Sequence, residues 1–331
     1  MTKLSISPPL LNACCPWSTT LEHLQALYDS PYTGAITFRT SMIKGYPDDT
    51  SVHQYAFFAV GRAVSSAERN VVASSPETMN TTLNTIGFSP IPLSEYLGMI
   101  NDIVKDEKTP SKLLIISVTG PAEEVAQGYA MIAEVAARSP HLRLAIEINL
   151  SCPNIANKPP PAYNLPMFIE HLDSIAKAKK AAASQLPATS VPVVGVKLPP
   201  YTYKDQFEMA FKALKHATSS VVDFVTCTNT LGTCLIYNDM GVPTLNSETG
   251  SGIGGLAGAA IHPLSLGNVA ALYALLAADP TTQDILIIGC GGVEDKAGYN
   301  RMCKAGAGAV AVASAVGRLG VQVFELITNE K

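Results

Sequence analysis

Paired cysteines, excess basic charge and long apolar runs are all missing from this chain of 331 residues. Its seven cysteines, at 14, 15, 152, 227, 234, 290 and 303, are odd in number and scattered. They suggest no disulfide framework and no metal-ligand spacing, which points to a reducing compartment. Lys and Arg number 23 against 27 Asp and Glu, for a net charge of −4 and a pI near 5.9, so nothing invites nucleic acid. No apolar stretch reaches membrane-spanning length. The opening MTKLSISPPLLNACC has neither a signal-peptide apolar core nor an Arg-rich amphipathic pattern. The expectation is a cytoplasmic protein with no membrane partner. Charged residues are only 15% while hydrophobic ones reach 47%, ample for one large core. No linker or low-complexity stretch divides residues 1–331, so a single domain is expected.

Strand-like and helix-like segments alternate. Apolar runs at Gly34–Phe38, Thr82–Ile86, Leu113–Val118, Arg143–Leu150, Val193–Leu198, Asp223–Thr228, Ile285–Ile288 and Ala309–Ala313 read as eight strands. Helical patterns cover 19–28, 122–137, 167–183, 205–217, 264–277, 295–304 and 321–329, the first opened by Thr19 and Glu22 in capping-box spacing. Strands apolar on both faces belong to a covered parallel sheet, and eight of them favour an α/β fold of the (β/α)8 TIM-barrel type. Two long connections, Thr40–Asn80 after the first strand and Leu231–Ile261 after the sixth, are expected to be functional loops.

The stretch Ala145–Asn154, AIEINLSCPN, is the centre of the pattern. Apolar Ala145, Ile146, Ile148 and Leu150 interleave with Glu147 and Asn149, and Pro153 ends the ladder. The strand's C-terminal end thus presents Asn149, Ser151, Cys152 and Asn154, where barrels place their chemistry. Asn84 and Asn229 hold comparable positions. Asn donates and accepts at once, so such a ring suits a planar amide-bearing ligand, although any one of them alone reads as a turn residue. Cys152 has no neighbouring His; it is either an inert small hydrophobe or a general base with a tuned pKa. Lys197, in an apolar strand, needs a partner: an anionic ring or a carboxylate such as Glu147. Gly289-Cys290-Gly291-Gly292 and Ala313-Ser314-Ala315 follow the last two strands, the usual phosphate position of barrels, though tight turns explain glycines too.

Together these residues resemble the dihydroorotate dehydrogenase family, in its soluble, fumarate-using class 1A branch. The motif Asn-Leu-Ser-Cys-Pro-Asn stands at Asn149–Asn154, followed by NKPPPAYN; Gly195–Pro200 matches the GVKLPP run. Asn84–Gly87 and Asn229–Gly232 resemble the NSMG and NSIG segments, and Gly252–Gly255 and Ile288–Gly292 complete the set in order. The resemblance implies an FMN-dependent oxidation of (S)-dihydroorotate to orotate in pyrimidine biosynthesis, with fumarate as acceptor, by a homodimer. It implies Cys152 as base and Lys197 as the charge beside the flavin. It implies that Arg39, Asn84, Ile86, Gly87, Phe88, Asn149, Asn154, Asn229 and Thr230 hold the pyrimidine. Cys14, Arg39, Thr40, Asn149, Lys197, Thr228, Gly255, Gly291, Gly292, Ala313 and Ser314 would line the flavin.

Three positions depart from that pattern. Phe38-Arg39-Thr40 replaces Thr-Lys-Ser, Asn12-Ala13-Cys14-Cys15 replaces Asn-Ala-Ser-Gly, and His262 stands for a Lys. Two further readings follow: a flavoprotein acting on another cyclic amide or enone, and a catalytically silent flavin-binding partner protein.

Overall fold

The protein is described here by a computed structural model covering residues 4–61, 79–105, 111–155 and 159–329. Eight parallel strands form one sheet: β1 (Leu10–Asn12), β2 (Ala35–Thr37), β5 (Leu113–Val118), β6 (Arg143–Asn149), β7 (Val193–Leu198), β8 (Phe224–Cys227), β11 (Leu286–Cys290) and β12 (Ala309–Val312). Their order is β1-β12-β11-β8-β7-β6-β5-β2. The two end strands meet, so the sheet closes on itself as a (β/α)8 barrel.

The closing seam is made by one side chain. A single backbone bond, Gly34 N–H to Leu10 O at 2.9 Å, crosses the start of the seam. Beyond it, the fully buried Asn12 donates from Nδ2 to Thr37 O at 2.6 Å and accepts from Thr37 N–H at 2.9 Å. A carboxamide carries the same donor and acceptor as a peptide, so Asn12 replaces a missing rung of the ladder.

Inward-facing residues alternate with outward ones along each strand. At the bottom of the barrel the interior is apolar: Leu11, Ala35, Ile115, Ala145, Phe224, Ile288 and Ala311 belong to one cluster. One layer higher it turns polar, with Ser117, Glu147, Lys197 and Thr226 all buried. Outward residues such as Ile116, Ile146, Ile148, Val196 and Val310 pack beneath the helices in the main core. Those helices include α3 (Ala122–Arg138), α4 (Leu165–Ala183), α5 (Lys204–Ala217) and α6 (His262–Ala277). The stretch Ala259–Ala277 has the length and mean hydropathy, 1.4, of a membrane span. It packs instead against β8, β11, α5 and the helix α7 (Lys296–Lys304).

Three sequence expectations need correction. Thr82–Ile86 is not a barrel strand. The segment β4 (Thr81–Asn84) pairs antiparallel with β3 (Tyr55–Phe58) and with β10 (Gly254–Gly258), and β10 pairs with β9 (Leu231–Cys234). The missing barrel strand is β1, whose three residues behind Pro8 and Pro9 are too few to show a period. The long connections are likewise not free loops. Within 40–61 and 231–261 they supply β3, β9 and β10, which with β4 form the antiparallel sheet that stands over the barrel's C-terminal mouth, while 62–78 lie outside the described residues. The first helix, α1 (Leu21–Asp29), is capped by Thr20, which accepts from His23 N–H at 3.3 Å, rather than by Thr19.

Candidate active site

The C-terminal ends of the barrel strands and the inner edge of the antiparallel sheet enclose a two-lobed cavity. One lobe measures about 550 Å³ and the other about 730 Å³, counted out to open solvent. Cys14, Asn229, Thr230, Ala313 and Ser314 line both. Lys197, Thr228, Gly291 and Gly292 line the first lobe only. Arg39, Thr40, Asn84, Ile86, Gly87, Phe88, Asn149, Cys152 and Asn154 line the second. The cavity therefore gathers every site residue expected from sequence except Gly255. That glycine stands against Thr230, where a Cβ would overlap the Thr230 hydroxyl, and its carbonyl accepts from Asn84 Nδ2 at 3.1 Å. Ala257 and Gly258, further along β10, take the wall position.

The asparagines act as two pairs. Asn154 Nδ2 donates to Asn84 Oδ1 at 2.8 Å and to Ile86 O at 2.9 Å, tying the Cys152 loop to the end of β4. Asn229 Nδ2 donates to Asn149 Oδ1 at 3.2 Å and to Ser151 Oγ at 2.9 Å, tying the end of β8 to that of β6. Asn149 Nδ2 in turn donates to Thr40 Oγ1 at 2.9 Å. Each amide is fixed in orientation by neighbours from other strands, so the lobe is preorganised.

Lys197 sits in register with Asn149 on one side and Thr226 on the other. It is 3% exposed, and its Nζ donates to Cys14 Sγ at 3.0 Å. Burial opposes its charge, but Cys14, Glu147 and Cys290 outweigh that and hold its pKa above the ordinary lysine value. Glu147 is not its ion-pair partner: the carboxylate accepts from Ser117 Oγ at 3.1 Å and from Thr226 Oγ1 at 2.6 Å. Cys152 is partly buried. Burial pushes its pKa up to about 11, against the Asn154 N–H and the positive charges of Lys197 and Arg39, which pull the other way. Arg39 donates from Nη2 to Phe88 O at 3.1 Å. Among the described residues no carboxylate comes within ion-pair distance of it. Burial is also the main cause of its lowered pKa.

Several wall residues gave no sequence signal. Trp17 and Tyr55 meet edge to face at 5.5 Å and line the second lobe. Asn80 and Glu294 line the first lobe, where Asn80 donates to Glu294 at 2.7 Å, and Glu294 also pairs with Arg318. Each comes from a segment with no motif of its own; only the juxtaposition of β3, β4 and β11 assembles them.

The residues present fit a flavin mononucleotide. The first lobe is walled by Gly291, Gly292, Ala313 and Ser314, whose short side chains leave backbone N–H groups accessible to an anion. Gly291 and Gly292 have φ of 140° and 69°, which favour glycine, and a Cβ at Gly291 would overlap Ser265. A buried ammonium, that of Lys197, stands in the wall of the first lobe, suited to the electron-rich edge of a reduced ring.

A profile of the family described as dihydroorotate dehydrogenase matches residues 68–330. The chain belongs to the dihydroorotate dehydrogenase family. It is 30% identical over 249 residues to the dihydroorotate dehydrogenase (fumarate) of Trypanosoma cruzi, covering 75% of this chain and 71% of that one. The figures are the same for a probable dihydroorotate dehydrogenase A (fumarate) of Streptococcus pneumoniae. The Trypanosoma brucei dihydroorotate dehydrogenase (fumarate) is 28% identical over 257 residues, 75% of this chain and 74% of its own. Against the dihydroorotate dehydrogenase pattern, the departures have distinct places. Arg39 lines the second lobe. Cys15 lines the same lobe, with Cys15 N–H donating to Ser18 Oγ at 3.3 Å. His262 lies behind the turn at Gly291 and Gly292, its Nδ1 2.8 Å from Gly291 O and its Nε2 accepting from Arg301 Nε at 3.1 Å. It therefore supports the turn rather than contacting a ligand.

Proposed function

We propose that this protein oxidises (S)-dihydroorotate to orotate in pyrimidine biosynthesis, with FMN as its flavin and fumarate as the electron acceptor. The observation that carries the reading is the second lobe, in which a guanidinium with no carboxylate partner among the described residues, two fixed pairs of carboxamides and a cysteine face one space. Dihydroorotate offers the complements: one carboxylate and a ring of alternating amide donors and acceptors.

Arg39 takes the substrate carboxylate. Asn84 and Asn154, and Asn149 and Asn229, orient the ring amides and exclude rotation in the lobe. Cys152 removes the proton at C5 of the substrate. The flavin, when bound, supplies the acceptor for the hydride leaving C6. Lys197, Gly291, Gly292, Ala313 and Ser314 hold it, Lys197 by charge and the others through backbone. Thr40 and Cys14 complete the floor.

Anaerobic mixing with dihydroorotate tests the reading. Prompt bleaching of the flavin absorbance, reversed by fumarate, is expected. Bleaching only by other cyclic amides or enones would favour a different substrate, and a yellow protein inert to every donor would make it a binding partner only.

We also infer a homodimer, built through the arm between β9 and β10. Tyr237, Met240, Val242 and Ile253 are exposed there in one segment. Sedimentation at micromolar concentration should give twice the 34.9 kDa chain mass.

A further inference from the structure

The turn Ile86–Phe88 lines the second lobe, and Phe88 O holds the Arg39 guanidinium. The support of that turn comes from a residue that lines neither lobe, Tyr46. Its ring lies so close to Gly87 that a Cβ there would stand 2.4 Å from the ring carbon Cε1. Only glycine permits this approach of ring to backbone. The same ring meets Phe88 edge to face, with centroids 5.5 Å apart.

Tyr46 is itself fixed at several points. Its backbone N–H donates to Ser89 O at 2.9 Å, and Ser89 N–H donates to Thr40 O at 2.7 Å, so the chain after β2 runs beside the turn. Its hydroxyl donates to Glu248 Oε1 at 2.8 Å, in the arm between β9 and β10. Burial and the Glu248 carboxylate push that hydroxyl above the ordinary tyrosine range, so it remains the donor. His53 packs on the ring at 5.8 Å, and its Nε2 lies 3.5 Å from the same Glu248 oxygen. A ring anchored this way restricts the backbone it touches, and a forked contact to a carboxylate tolerates little displacement.

We propose that Tyr46 is a positioning residue of the second lobe. Its ring fixes Gly87 and Phe88, and through Phe88 O the Arg39 fork, while Glu248 fixes the ring from the β9–β10 arm. The link to the substrate carboxylate rests on the dihydroorotate reading above; the fixing of the turn does not. Tyr46 touches no substrate atom and moves no proton. Its loss weakens the hold on the carboxylate and leaves the chemical step alone.

The test is a double-mutant cycle on the flavin-loaded full chain, read by calorimetry with orotate. Tyr46→Ala should raise the orotate Kd about tenfold, but by about twofold or less in an Arg39→Ala background, because both changes remove one interaction. The dihydroorotate KM should rise in parallel, with kcat held within about twofold. Tyr46→Phe keeps the ring and should cost about threefold; Glu248→Ala should match it, and Glu248→Gln, which retains an oxygen acceptor, should restore wild-type affinity. Amide hydrogen exchange reads the turn without any ligand. Residues 84–89 should exchange about tenfold faster in Tyr46→Ala, while the barrel strand β5 is unchanged. Tyr46→Leu takes the place of Tyr46→Ala should that variant fail to fold. Equal losses with and without Arg39 overturn the route through the guanidinium. Unchanged exchange at 84–89 overturns the fixing of the turn. Wild-type protein that binds no orotate defeats the substrate reading instead, and the exchange rates alone then decide whether Tyr46 holds the turn.

Discussion

Cys152 holds its proton tightly, and the reaction should show it. With the thiol pushed up to about 11, mainly by burial, only a small fraction is thiolate at neutral pH. Flavin reduction by dihydroorotate, followed by anaerobic stopped flow, should accelerate by about tenfold per pH unit from 7 toward 10. A plateau below pH 8 would mean that bound substrate or another group sets the proton transfer. Cys152→Ser should slow the same step by about 10²- to 10⁴-fold, because a hydroxyl is a far weaker base. Arg39 belongs to the same scale. It lines the second lobe and its fork is held by one carbonyl, so Arg39→Ala should raise the dihydroorotate KM by about 10- to 150-fold, the loss of a charged hydrogen bond at roughly 1.5–3 kcal/mol. Arg39→Lys separates two possibilities. If it impairs dihydroorotate turnover, Arg39 is this chain's own solution to carboxylate binding. If it improves turnover at the expense of another acid, the substrate has changed.

At the scale of elements, the seam between β1 and β2 carries a distinct liability. Asn12→Ala removes both side-chain bonds to Thr37 and strands its N–H and C=O in a dry interior. The cost should be about 2–4 kcal/mol, seen as a lower midpoint in urea. Asn12→Asp should not rescue it, because its carboxylate faces the Thr37 carbonyl with no donor. Inside the barrel, Gly195 stands in register with Phe224, and a Cβ there would overlap the ring. Gly195→Ala should destabilise by about 1–3 kcal/mol through overpacking, with no change in charge or hydrogen bonding. Most helices were legible because their apolar stripes repeat over three or more turns; α3, α4 and α5 lie within two residues of the sequence expectation, whereas the helix Leu93–Ile103 was not expected. β1 was not, because three residues cannot display a period. β4 was misassigned for a different reason: alternation cannot say whether a strand's partner is parallel or antiparallel.

For the whole molecule, the thiols set an alkaline limit. Cys15, Cys152 and Cys290 all have folded pKa values raised above 9.0, while in the unfolded chain they ionise near 9. Above pH 9 the unfolded state therefore binds fewer protons than the native one, and stability falls with rising pH until the folded thiols ionise near 11 to 12. The melting temperature should be nearly level from pH 7 to 8.5 and drop steadily between 9 and 11. A melting temperature unchanged across that interval would show the buried thiols to be uncoupled from folding.

The sequence by itself determined the family, the barrel class, the two small-residue turns after the last barrel strands and nearly all of the cavity wall. Those properties reside in short contiguous motifs at strand ends, and a strand's C-terminal end lies at the active face of a parallel barrel wherever the strand sits. Only the tertiary structure decided how separated residues meet. It paired Asn84 with Asn154 and Asn149 with Asn229, put the Cys14 sulfur rather than Glu147 on the Lys197 ammonium, and moved the wall from Gly255 to Ala257 and Gly258. It also folded the two long connections into one sheet over the mouth. Each of these depends on the angle and register between elements distant in the chain, which side-chain packing fixes and no local pattern records.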